Sequence, residues 1–122
     1  MTEFYSSEAV RPAGFTYPPE FTSIIELGLV DFAVWNFIPG KRADQIIQHL
    51  SGTYKKSYVP FAEQRGSDDL ACWVPGSDKV YIIEYSAVDG EEIMNVHETF
   101  WSWFTSATSE MIEHLKSEIE YG

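Results

Sequence analysis

The chain has few basic residues and a single cysteine. Eight lysines and arginines stand against nineteen acidic residues, which gives a formal net charge of -11. A surface with this charge repels the phosphates of nucleic acids and anionic lipid, so we expect neither as a partner. Cys72 has no second cysteine with which to pair. This excludes an internal disulfide and fits a reducing compartment.

Long apolar runs and a secretory signal are also missing. The most apolar stretch, residues 29–38, is interrupted by Asp31 and Asn36 and is much shorter than a bilayer span. The first residues do not form a basic segment followed by an apolar one. We therefore expect a cytoplasmic protein that has neither a signal peptide nor a membrane partner.

Aromatic residues are abundant, and the acidic residues are concentrated in one half. The chain contains 4 Trp, 7 Tyr and 8 Phe within 122 residues. A single domain of this length can bury a sufficient core without a metal or a disulfide. Residues 1–66 contain six basic and seven acidic side chains, whereas residues 67–122 contain two basic and twelve acidic ones. The negative field therefore comes almost entirely from the second half.

The pattern of apolar residues and turn signals divides the chain into an extended N-terminal arm, residues 1–16, and one domain, residues 17–122. Proline and glycine mark the ends of a first short helix, and a stripe at i, i+3, i+4 and i+7 predicts a second. Alternating apolar runs between Gly, Pro and Asp turns predict strands, and Pro60 in one of them favours an edge or a strand start. The predicted elements are helices over 18–28, 42–50 and from Thr99 onward, and strands over 29–38, 57–62, 70–74, 79–85 and 92–96.

Short loops between closely spaced strands favour an antiparallel meander. We therefore expect a single α+β domain with a mainly antiparallel, four- to five-stranded sheet that is flanked by helices.

Signatures of catalysis and of metal binding are weak. His97-Glu98 begins like a zincin helix, but Trp101 occupies the position of the second ligand. Cys72 lies in an alternating apolar strand, where a buried and unreactive thiol is expected. The carboxylate pairs 68–69 and 91–92 are adjacent in sequence, so their side chains point in opposite directions on an extended chain. We expect no catalytic residue, no metal and no cofactor; a small-molecule hydrolase that uses the acidic turns remains a minor alternative to a non-enzyme.

Residues 59–104 resemble the SUKH (SMI1/KNR4) family. Val59-Pro60-Phe61-Ala62 and the following Gly66-to-Trp73 segment are similar to a Pro-Phe strand, a Gly/Asp turn and a strand with a Leu-x-Cys core. Residues 79–85 resemble the next strand of the family, and residues 99–104 resemble the start of its last helix. Residues 17–21 add a weaker similarity to the helix opening of the family.

The resemblance implies an immunity protein that binds a basic bacterial toxin, such as a nuclease, and blocks its active site by occlusion. The alternative from the same family is a regulatory scaffold that binds host partners. The expected partner-binding residues are acids of the turns, with two aromatic candidates as anchors. For Trp73, packing in the core of a central strand is the favoured alternative. The expected contact set is Asp68, Asp69, Asp78, Asp89, Glu91, Glu92, Trp73 and Tyr85.

Overall fold

A computed structural model describes residues 3–121, and within this range the chain forms three helices and six strands. The elements are α1 (Pro19–Glu26), β1 (Asp31–Phe32), β2 (Trp35–Phe37), α2 (Gly40–Thr53), β3 (Val59–Gln64), β4 (Asp69–Trp73), β5 (Val80–Glu84), β6 (Ile93–His97) and α3 (Phe100–Tyr121). All neighbouring strands are antiparallel, and their order in the sheet is their order in the chain. The predicted α+β fold with an antiparallel meander is confirmed.

The sheet has six strands and not four or five, because residues 29–38 form a hairpin where the sequence predicts one strand. The chain reverses between β1 and β2 at Ala33, which has a φ of 65°. A positive φ is unfavourable for alanine, and the side chain of Asp31 supports it by accepting a hydrogen bond from the Ala33 N–H at 2.9 Å.

Pro60 lies in an inner strand but close to the start of that strand. β3 pairs with β4 along most of its length, whereas β2 pairs only with residues 62–64. The pairing with β4 shifts register between Pro60 and Ala62. Pro60 therefore lies at an irregularity, where its missing N–H does not interrupt a regular series of hydrogen bonds between strands.

Both faces of the sheet are covered over its central strands, whereas the edge strand β6 is largely exposed. On one face α1 and α3 cover an aromatic core in which Phe21, Phe61 and Trp103 are at most 2% exposed. On the other face α2 covers a second core around Leu50, Cys72 and other buried residues. β4 contributes alternate residues to the two cores, which explains its nearly continuous burial.

The segment before α1 lies against the domain without forming a helix or strand in its described part. The Glu3 carbonyl accepts a hydrogen bond from the Gly40 N–H at 2.6 Å, and the Ser6 N–H donates to the Tyr17 hydroxyl at 2.8 Å. Tyr5 also packs on the ring of Tyr17, with 4.8 Å between ring centroids. Residues 1 and 2 of the predicted arm lie outside the described residues.

α3 is the longest element, and only its first half packs on the sheet. Phe100, Trp103 and Ala107 are buried, whereas every residue from 112 to 121 is exposed. None of the helices within residues 3–121 has the length and apolar character that a membrane crossing requires.

Candidate protein-binding surface

The structure brings four of the six predicted acidic contact residues to one end of the sheet. Asp68 and Asp69 lie at the β3–β4 turn, and Asp89 and Glu91 lie in the β5–β6 loop. Asp69 pairs with Glu84 across β4 and β5, which places both connections at the same end. We call this surface the acidic end and define it by Asp68, Asp69, Glu84, Asp89 and Glu91.

Glu84 belongs to this surface although the sequence analysis did not include it among the contact residues. It is exposed at the last position of β5, directly opposite Asp69. The strand predicted over 79–85 could have identified Glu84 as a surface residue, because a charged residue at a strand end usually faces solvent.

The β5–β6 loop of the acidic end is anchored to the chain that follows α2. The Tyr54 hydroxyl donates to the Ala87 carbonyl at 2.7 Å and also lies 3.1 and 3.2 Å from the carbonyls of Tyr85 and Glu84. The Lys55 N–H donates to Asp89 Oδ1 at 3.2 Å. These bonds hold the carboxylate of Asp89 and the neighbouring loop in a fixed arrangement.

Glu92 does not fit the expected contact set, because its side chain is buried and only 3% exposed. Its Oε2 accepts a hydrogen bond from the Tyr58 hydroxyl at 2.6 Å, and its Oε1 accepts one from the Gly90 N–H at 2.7 Å. Burial acts to raise the pKa of Glu92, but these hydrogen bonds outweigh it and hold the pKa below the usual value. Glu92 therefore supports the loop from beneath and does not present its charge to a partner.

The carboxylates of the acidic end are not neutralised by ion pairs within the described part of the chain. The ion pairs among residues 3–121 involve other acids, such as Glu63 with Arg42 and Asp31 with Arg65, both at 2.8 Å. Asp68 Oδ2 instead accepts a hydrogen bond from the Ser86 hydroxyl at 2.7 Å. Partial burial, with a smaller contribution from the nearby Asp68, raises the pKa of Asp69.

Tyr85 lies next to the acidic end and is half-buried. Its ring stacks on His49 of α2, with 4.7 Å between the ring centroids and an interplanar angle of 19°. Tyr85 also lines a cavity of about 280 Å³ together with Asp68, Asp69 and Arg42. An aromatic ring beside carboxylates in a cavity is suited to contact with a basic side chain.

Trp73 and Asp78 lie at the opposite end of the sheet from the other predicted contacts. Trp73 is 2% exposed and stacks on Phe61 at 4.1 Å between centroids, so its ring is part of the core. Its Nε1 has no hydrogen-bond partner among residues 3–121. Asp78 is exposed in the β4–β5 turn, where it lines a cavity of about 670 Å³ with Trp73 and Trp101.

Within the described range 3–121, no group of three or more His, Cys, Asp or Glu side chains could hold a metal ion. Burial raises the pKa of the Cys72 thiol well above its usual value. No protein-family model, curated protein or solved structure matches this chain.

Proposed function

We propose that this protein is an immunity protein that binds a basic toxin domain and blocks its active site by occlusion. The observation that supports this most strongly is the acidic end, where five carboxylates from two connections and the adjoining strand ends lie outside the ion pairs of the described chain. The resemblance of residues 59–104 to the SUKH family supports the same function from the sequence.

The acidic end suits fast capture of a positively charged partner. Clustered carboxylates raise the rate of encounter with a basic protein, and salt weakens this attraction. The loop that carries Asp89 is held by Tyr54, and the buried Tyr58–Glu92 pair lies beneath it. A surface ordered before binding loses less conformational entropy when the complex forms. A basic active site that normally holds nucleic acid would be covered by such a surface.

The proposal is tested with the protein encoded by the neighbouring reading frame, both by co-expression and by purified binding. The chain should rescue growth of cells that express that protein and should form a stable one-to-one complex with it. The variant Asp68→Asn/Glu84→Gln/Glu91→Gln removes three charges from the acidic end. We expect its association rate constant to fall by about tenfold at low salt, with a weaker dependence on ionic strength.

A matched control removes three charges elsewhere. Glu8, Glu26 and Glu98 are exposed and lie outside the acidic end, so Glu8→Gln/Glu26→Gln/Glu98→Gln changes the net charge by the same amount. The proposed surface is wrong if both triple variants slow association equally. The immunity function itself is wrong if the wild-type chain neither binds nor rescues.

A further inference from the structure

The second half of α3 is an exposed amphipathic helix that has no packing partner within the described chain. Residues 112–121 are helical, and all of them are exposed. Ile112 is 48% exposed, Leu115 46% and Ile119 84%. Short helices without tertiary contacts are only marginally stable in water, so ten helical residues with exposed large apolar side chains indicate a surface that is covered in a complex.

Three exposed aliphatic residues of this half lie on one flank of the helix. Ile112, Leu115 and Ile119 are spaced at i, i+3 and i+7, and we call these three residues the docking stripe. This spacing is typical of a helix that inserts into an apolar groove of another protein. The stripe continues the flank on which Phe104 packs against Phe32 of β1, at 5.3 Å between ring centroids.

The projecting half of α3 begins beside the acidic end. Trp103 packs on Trp35, at 5.8 Å between ring centroids, and Trp35 pairs with Gln64 at that end of the sheet, so the first half of the helix reaches it. Glu110 also lines a cavity to which Gln64 and Asp69 contribute. The eleven remaining helical residues extend about 16 Å further at 1.5 Å per residue. A partner that covers the acidic end is therefore within reach of the stripe.

The charges around the stripe identify the kind of partner that fits it. Residues 110–121 contain four glutamates and one lysine, Lys116. Two copies of this helix would bring like charges together on chains that each carry a net charge of -11. A groove with an apolar floor and a basic rim complements both the stripe and its acidic flanks.

We propose that the docking stripe inserts into an apolar, basic-rimmed groove on the same basic protein that the acidic end captures. This inference rests on the proposed function and adds a second contact with a different role. The carboxylates speed association, whereas burial of Ile112, Leu115 and Ile119 slows dissociation.

The test measures association and dissociation rate constants with the protein encoded by the neighbouring reading frame as the probe. In Ile112→Ala/Leu115→Ala/Ile119→Ala, alanine keeps the helix propensity high, and the exposed positions leave the core intact. We expect the dissociation rate constant to rise by at least about tenfold, with the association rate constant within about twofold of wild type. Ser109→Ala/Ser117→Ala, at exposed positions of α3 off the stripe, is the control and should match wild type.

Each contrary outcome identifies what has failed. Wild-type binding with an unchanged dissociation rate in the stripe variant overturns the docking stripe and leaves the proposed function standing. Absence of wild-type binding overturns both. Sedimentation equilibrium adds an independent readout, since a wild-type dimer that dissociates in the stripe variant would show that a second copy covers the stripe, which also overturns the inference.

Discussion

The Tyr58 hydroxyl donates a hydrogen bond to the buried carboxylate of Glu92 at 2.6 Å. Tyr58 precedes β3 and Glu92 precedes β6, so the bond joins segments 34 residues apart in sequence. Glu92 Oε1 accepts from the Gly90 N–H in the same loop. A buried carboxylate without these donors would be costly, and the pair therefore couples the loop of the acidic end to the core.

The Tyr58→Phe substitution should destabilise the protein by about 1.5–3 kcal/mol, because it leaves the Glu92 carboxylate buried with one donor fewer. Urea unfolding followed by circular dichroism measures this change. Tyr121→Phe removes a hydroxyl from a residue that is 84% exposed and serves as the control. If Tyr58→Phe lowers the free energy of unfolding no more than the control does, the hydrogen bond contributes nothing to stability.

The stability of the fold should fall in acid partly through Glu92. Its pKa in the folded protein lies below the ordinary value of 4.5, because hydrogen bonds to the carboxylate outweigh the effect of burial. As the pH falls, the unfolded chain therefore binds a proton at this position before the folded protein does. The stabilisation is complete above about pH 5 and is lost as the pH falls through the folded pKa.

The Glu92→Gln variant tests this pH dependence. Its free energy of unfolding should be lower than that of wild type at about pH 7, and the difference should shrink toward about pH 3. Urea titrations at both pH values measure it. Glu91→Gln removes the neighbouring exposed carboxylate and is the matched control. A difference between Glu92→Gln and wild type that stays constant with pH would contradict the role assigned to Glu92.

Cys72 should react with thiol reagents only when the protein unfolds. The residue has an exposed fraction of 0%, and burial raises the pKa of its thiol. Burial keeps the reagent away from the thiol, and the raised pKa lowers the fraction of the reactive thiolate. Alkylation by iodoacetamide, followed by mass spectrometry, should be at least about a hundredfold slower without urea than in denaturing urea. Without urea, the reagent reaches the thiol only when the core opens. Labelling of the native protein at the rate of a free thiol would contradict the burial of β4.

Gly40 and Gly52 form a matched pair of glycines within α2. A Cβ at position 40 would collide with the carbonyl of Tyr5, whereas a Cβ at position 52 would meet no other atom within 4 Å. Gly40→Ala should therefore displace the N-terminal segment, and Gly52→Ala should stabilise the helix by up to about 1 kcal/mol.

Thermal unfolding and limited proteolysis distinguish the two variants. Gly40→Ala should lower the melting temperature and speed cleavage before residue 17, because the Gly40 N–H also donates to the Glu3 carbonyl at 2.6 Å. Gly52→Ala should leave that cleavage unchanged. Equal protease resistance in both variants would show that the segment is not held at Gly40.

The sequence predicted most of the fold because its strands carry strong local signals. The runs before and after Pro75-Gly76 became β4 and β5, and the stripe around Ile46 became α2. The β1–β2 hairpin was missed because Ala33 and Val34 form its turn without Gly, Pro or Asn. Here a hydrogen bond that the Asp31 carboxylate accepts from the Ala33 N–H takes the place of the usual turn residue.

The candidate surface was harder to predict than the fold because its composition depends on tertiary contacts. Glu91 and Glu92 are neighbours in one turn, yet only Glu92 is buried, and the partner that buries it is Tyr58. Asp78 resembles Asp68 as an acid in a turn, but consecutive connections of a meander lie at opposite ends of the sheet. Local sequence identifies turn acids without showing which of them meet.

The strand order of the sheet also has a kinetic consequence. Each strand pairs with the strands that precede and follow it in the chain, and the connections from β3 to β6 are short. Contacts between neighbouring strands from β3 to β6 therefore join segments that are close in sequence, and closing these hairpins costs little chain entropy. These hairpins can therefore form while the ribosome is still adding α3.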